Sequence, residues 1–125
     1  MSLFHLDVSA CNPQDEARVT PAVTALVDTG SELTWLPADL LAGVGVGVRR
    51  QRSFRTATGQ LVTRPVGYAI LRAQGFETND EVVFAEPGDQ TSLGVRTLEG
   101  FGVMVDNLAH RLVTVTTVAA GSHRP

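Results

Sequence analysis

The stretch Ala25–Pro37, ALVDTGSELTWLP, decides how the rest of the chain is read. Leu26 and Val27 have the character of the end of a buried strand, and Leu33, Trp35 and Leu36 resume the apolar pattern a few residues later. Between these segments stands Asp28, followed by Thr29 and Gly30. A carboxylate is costly to bury unless it is paired or hydrogen-bonded, so this position asks for a reason. One reason is local: an Asx turn closing a strand, with Gly30 in a left-handed turn. The other is chemical: a carboxylate held at a strand end to do work. The motif occurs once in the chain.

The wider composition narrows the choice. With 125 residues and 43% apolar content, the chain is sized for one small domain with its own core. Net charge is −3, all ten cationic side chains are arginine, and the densest basic run is Arg49-Arg50-Gln51-Arg52, which reads as a solvated turn rather than a nucleic-acid contact. Cys11 is the only cysteine, which excludes an intrachain disulfide and a four-cysteine zinc site. His5, His110 and His123 are far apart in sequence, so neither a metal nor another cofactor is expected. No apolar run has the length of a membrane span or the form of a signal peptide. The expectation is a cytoplasmic protein with no membrane or nucleic-acid partner.

The apolar periodicity is short throughout, and valine and threonine are abundant. Residues 3–8 alternate as a first strand, 12–16 read as a loop or hairpin turn, and 19–27 read as a second strand running into Asp28. Pro37–Leu41 suits a single helical turn. The run GVGVGV at 43–48 lacks the spacing of a phosphate loop and is set aside. Residues 54–71 read as a long hairpin turning near Ala57-Thr58-Gly59-Gln60, and Pro65 marks its second strand as an edge or irregular one. Residues 81–85 are a further strand, Pro87-Gly88-Asp89 is a turn, and Val95–Glu99 is a short helix. A terminal hairpin over 101–106 and 111–118 follows, with a frayed tail at 119–125. The class is all-β, in one domain over residues 1–118.

Leu26-Val27-Asp28-Thr29-Gly30-Ser31 resembles the active-site motif of the aspartic proteases, in particular the single-domain, retropepsin-like branch. The landmarks that follow resemble that family in order. They are the hairpin about 30 residues downstream as a flap, Val82-Val83-Phe84-Ala85 as a core strand, Ser92-Leu93-Gly94 with its short helix, and the closing hairpin from Phe101 to Val115. The resemblance implies a barrel or sandwich with one short helix after the Leu-Gly pair, one pepsin-like lobe per chain. It also implies that Asp28 is catalytic and that Thr29 braces the site across a dimer. Gly30 would allow close approach of substrate, Ser31 would hydrogen-bond the carboxylate, and Glu32 and the flap tip Ala57-Thr58-Gly59-Gln60 would meet substrate. Trp35 reads as core more than as a substrate contact. Arg96 stands where many relatives carry an aspartate and reads as a structural brace.

The reaction explains why one motif is not enough. Peptide hydrolysis needs an activated water and a proton donor, and two close carboxylates sharing one proton supply both. A single Asp28 therefore implies a homodimer with the site on its two-fold axis, acting on a peptide or protein substrate. Residues 3–8 and 111–118 are the expected interface strands. Two other readings stay open: a protease-like dimerisation or peptide-binding module without catalysis, and a monomeric β-barrel binding a small ligand.

Overall fold

The computed structural model describes residues 4–116. Ten strands and two short helices follow one another as β1 (His5–Asn12), β2 (Asp15–Val19), β3 (Val23–Val27), β4 (Thr34–Pro37), α1 (Ala38–Gly43), β5 (Arg50–Arg55), β6 (Leu61–Ala73), β7 (Phe76–Ala85), β8 (Ser92–Leu93), α2 (Val95–Phe101), β9 (Val103–Asp106) and β10 (Arg111–Thr114). Eight strands form one sheet in the order β2-β1-β3-β8-β4-β7-β6-β5, and a further β1–β6 pairing joins its two halves. Six strands thereby close into a barrel, with β2 and β5 as its open edges. The all-β, retropepsin-like reading holds.

Strand alternation builds the core. Leu6, Val8 and Ala10 of β1 face inward while His5 and Asp7 face solvent. They meet Ala25 and Val27 of β3, Leu36 of β4, Ala69 and Leu71 of β6, and Val82 and Phe84 of β7. From Asp80 onward β7 is buried on both faces. Its Val83 turns away from the barrel into a smaller cluster with Leu33 and Val66, against which Trp35 and Phe54 pack. That second cluster lies beneath the hairpin and supports it.

Several boundaries differ from the sequence reading. Residues 19–27 are not one strand: β2 ends at Val19 and β3 begins at Val23. Pro21, with no N–H to donate, falls in the gap, and Thr20 turns inward so that its hydroxyl accepts a bond from Ala10 N–H at 3.0 Å. The Arg49–Arg52 run is not a solvated turn, since Arg50 opens strand β5. Pro65 sits where expected for an irregular strand. Residues 61–65 of β6 pair with β5 alone, and pairing to β7 starts at Val66. The 43–48 run is structural, with Val44 and Val46 buried in the core.

The first strand has three partners. β1 pairs with β3 over His5–Val8, with β6 over Ser9–Cys11 and with β2 at its end, so that among the described residues His5–Val8 have a strand partner on one side, in β3. β9 and β10 form a separate two-stranded sheet, with Met104, Leu108 and Val115 exposed. Residues 117–125, which include the end of the expected last strand and the tail, lie outside the described residues, as does Leu3.

Candidate active site

Asp28 follows the last residue of β3 and is held from both sides. Its N–H donates to Leu93 O at 3.0 Å, and its own carbonyl accepts Ser31 N–H at 3.1 Å. β8 makes this possible by lying between β3 and β4, parallel to the first and antiparallel to the second. The short segment Ser92-Leu93, called only a landmark by the sequence, is thus the backbone shelf on which the aspartate rests.

Among the described residues the carboxylate itself takes one hydrogen bond, from Gly30 N–H to Oδ1 at 2.9 Å. Gly30 is also needed for space, since a Cβ there would stand 3.2 Å from the same oxygen. Ser31 does not hydrogen-bond the carboxylate as expected. Its hydroxyl donates instead to Leu33 O at 2.8 Å, which ties down the loop carbonyl two residues on. Asp28 is partly exposed, and Thr29, Gly30 and Glu32 are exposed. The Thr29 hydroxyl has no hydrogen-bond partner among the described residues.

Helix α2 pins this loop from behind. Its first backbone donors, which a helix cannot satisfy internally, reach across to it: Val95 N–H to Ser31 O at 2.8 Å and Arg96 N–H to Glu32 O at 3.0 Å. Gly94 allows that approach, because a Cβ at this position would clash with the Leu33 carbonyl. A buried relay then runs outward from Gly94. Its N–H donates to Thr34 Oγ1 (2.9 Å), which shares a hydrogen bond with Thr97 Oγ1 (2.7 Å), and Thr97 donates to Asp80 Oδ2 (3.1 Å).

Asp80 and Glu81 anchor the far end of that relay. Glu81, 4% exposed, is within 2.9 Å of Arg50, 3.1 Å of Arg52 and 3.5 Å of Arg96. Asp80 is within 3.5 Å of Arg96 and also accepts Glu81 N–H. Arg96 does brace the structure, and the brace spans three elements: β5 at the hairpin root, β7, and α2 behind the aspartate.

In front of Asp28 lies an open cavity of about 490 Å³. It is lined by Asp28, Gly30 and Ser31 of the loop, by Trp35, Asp89, Gln90 and Ser92, and by Arg55, Thr56, Ala57 and Val62 of the hairpin. Of the expected flap-tip contacts, Ala57 reaches the cavity. Thr58, Gly59 and Gln60 form the turn beyond it, with Gly59 at φ +85° donating to Thr56 O. Glu32 does not line the cavity. Trp35 both packs on the second cluster and faces the cleft, edge-on to Phe54 at 5.0 Å between ring centroids.

Arg55, Thr56, Val62, Asp89, Gln90 and Ser92 were not singled out from sequence. The hairpin pattern placed the first three near the tip, but no local signal told which strand face met the cleft. Asp89 is neutralised where it stands. Arg64 reaches both its oxygens, at 2.7 and 2.9 Å, and Glu86 N–H adds a third bond. The Arg64 hydrogen bond, followed by that of the Glu86 backbone, holds the Asp89 carboxyl below the usual carboxylate range although partial burial opposes it.

The described residues contain no group of three or more His, Cys, Asp or Glu placed to hold a metal ion. None of their helices is long and apolar enough to cross a membrane. A barrel lobe with a shelf-held Asp-Thr-Gly loop under a hairpin defines the chain's class as one lobe of an acid protease. A model of the aspartyl protease family matches residues 19–98, and the chain belongs to that family, in its retropepsin-like form. No curated protein matches the chain.

Proposed function

We propose that the protein is an aspartic endopeptidase active as a homodimer, with one Asp28 from each subunit forming the catalytic dyad. The observation that carries this reading is the spare capacity of Asp28. It borders an open cleft with one backbone donor on Oδ1 and, among the described residues, no ion-pair partner within 4 Å. A carboxylate satisfied by an arginine would be inert, whereas this one is left able to share a proton with a twin.

In the dimer one carboxyl is ionised and the other protonated, because two adjacent charges cannot both persist. The ionised group takes a proton from water as the oxygen attacks the peptide carbonyl carbon, while the protonated group donates to the carbonyl oxygen. The tetrahedral diol then collapses: the C–N bond breaks, the nitrogen receives a proton from the dyad, and acid and amine leave. No covalent enzyme intermediate forms.

Thr29, exposed at the dimer-facing side of the loop, braces its counterpart, and Gly30 and Ser31 keep the loop in shape. An extended substrate pairs along the hairpin in β-augmentation fashion, with Glu32 and residues 57–60 at the rim. The single domain of residues 1–118 is the catalytic unit.

The test is cleavage of a peptide library by wild type and by Asp28→Asn, with folding checked by circular dichroism. Cleavage by wild type alone is the expected result. Cleavage by both refutes the dyad, and a folded wild type that cleaves nothing favours the non-catalytic module.

A further inference from the structure

Arg50, Arg52, Arg64, Arg72, Arg96 and Arg111 each lie within 4 Å of a carboxylate. Arg55 has no carboxylate partner among the described residues, and it lines the Asp28 cavity. Its Nη1 donates to Gly59 O at 2.9 Å, across the hairpin turn. A guanidinium offers five N–H donors in a planar fork, and that of Arg55 has one protein hydrogen bond among the described residues, which leaves most of that capacity unspent beside the cavity it lines.

The other walls make the site selective by sign. Asp89, which would otherwise repel an anion, has both oxygens covered by Arg64. Gln90 is neutral, and Trp35 and Val62 offer an apolar wall along which a methylene stem can lie. Apart from Asp28, Arg55 is therefore the one uncompensated charge on the cavity lining.

We propose that this cleft selects substrates bearing an acidic side chain, glutamate above all, close to the scissile bond, with the stem against Trp35 and Val62 and the carboxylate on Arg55. This substrate class rests on the endopeptidase reading. Arginine is suited to the role because its fork meets a carboxylate with two parallel hydrogen bonds.

The test uses acetylated, amidated peptides, so that only side chains carry carboxylates. Sets differ by Glu, Gln or Lys at each position within three residues of the cut, and are given to wild type, Arg55→Gln and Arg55→Glu. The ratio of kcat/KM between Glu and Lys peptides is the readout, because loss of folded enzyme cancels from it. At one position wild type should prefer Glu over Gln by about tenfold, the scale of one charge-assisted pair in a part-solvated site. Arg55→Gln should level the ratio and Arg55→Glu should invert it. An even ratio in wild type, or a Glu preference that survives Arg55→Glu, overturns the proposal and leaves the endopeptidase reading standing. Should wild type cleave nothing, the same peptides are titrated by NMR against the intact protein. Tighter binding of Glu peptides that depends on Arg55 upholds the selectivity while the endopeptidase reading falls. Binding without that dependence, or no binding, overturns the selectivity too.

Discussion

Two carboxylates in this chain stand in opposite conditions. Glu81 is 4% exposed, and three arginines converge on it from β5 and α2. Asp28 is partly exposed, faces a cavity of about 490 Å³ and receives one backbone N–H. Both are carboxylates at the end or interior of a core strand, so residue type and place in a strand alone do not separate them. The difference lies in how many of their lone pairs are already used. Glu81 is spent on structure, and Asp28 is held in place through its backbone while its oxygens stay available.

The sharpest way to break the contrast is to remove each carboxylate in turn. Asp28→Asn should abolish peptide cleavage, by about 10³-fold or more, while the urea midpoint stays close to wild type. Glu81→Ala should do the reverse in kind, costing about 2–4 kcal/mol of stability in urea titration, because several arginines lose the charge that compensated them. The lower part of that range applies if Arg50 and Arg96, both substantially exposed, resolvate. If Asp28→Asn unfolds the protein or Glu81→Ala leaves stability unchanged, the division between working and structural carboxylates is wrong.

Gly30→Ala probes the boundary between the two conditions. The new methyl would press on Asp28 Oδ1 at 3.2 Å, so kcat should fall about tenfold or more, with a stability change of about 1 kcal/mol or less. An active Gly30→Ala enzyme would mean that the carboxylate's position is looser than the loop suggests.

The smallest expected effect belongs to Asp89, a third carboxylate that behaves like Glu81 at the edge of the working cleft. Its folded-state pKa is lowered by Arg64, so its ionised form adds stability above the ordinary carboxylate value of 3.8. That increment disappears as pH falls through the lowered native value. Wild type should therefore exceed Asp89→Asn by about 1 kcal/mol near neutrality, and the gap should close as pH falls below the ordinary carboxylate value and through the lowered native one. Urea titrations across that range check the sign, and a gap that widens in acid would contradict it.

The legible parts of this structure were those carried by short-range signals. Asp28-Thr29-Gly30 at a strand end, the hairpin turning at Gly59, the helix after Gly94 and the turn at Gly88 each depend on residues within a few positions of one another. What sequence did not reveal depends on distant partners. Nothing local says that Ser92-Leu93 threads between β3 and β4, or that the end of β1 closes the barrel through β6. Ser31 has the right chemistry to bond the aspartate, but the nearby Leu33 carbonyl takes its hydroxyl. The arginines of β5 look like a solvated cluster until Glu81, some thirty residues on, is brought beneath them. Trp35 illustrates the limit in one side chain, since a residue can pack on a core and line a cleft with its other face.

The central claim is that Asp28 works only beside a second Asp28. Wild type and Asp28→Asn, mixed at a fixed total concentration, unfolded and refolded together so that subunits exchange, test it most directly. Activity should follow the square of the wild-type fraction, leaving about a quarter in an equal mixture, because random pairing makes that share of dimers fully wild type. Activity that falls in simple proportion to the wild-type fraction would show that one subunit suffices, and would contradict the account.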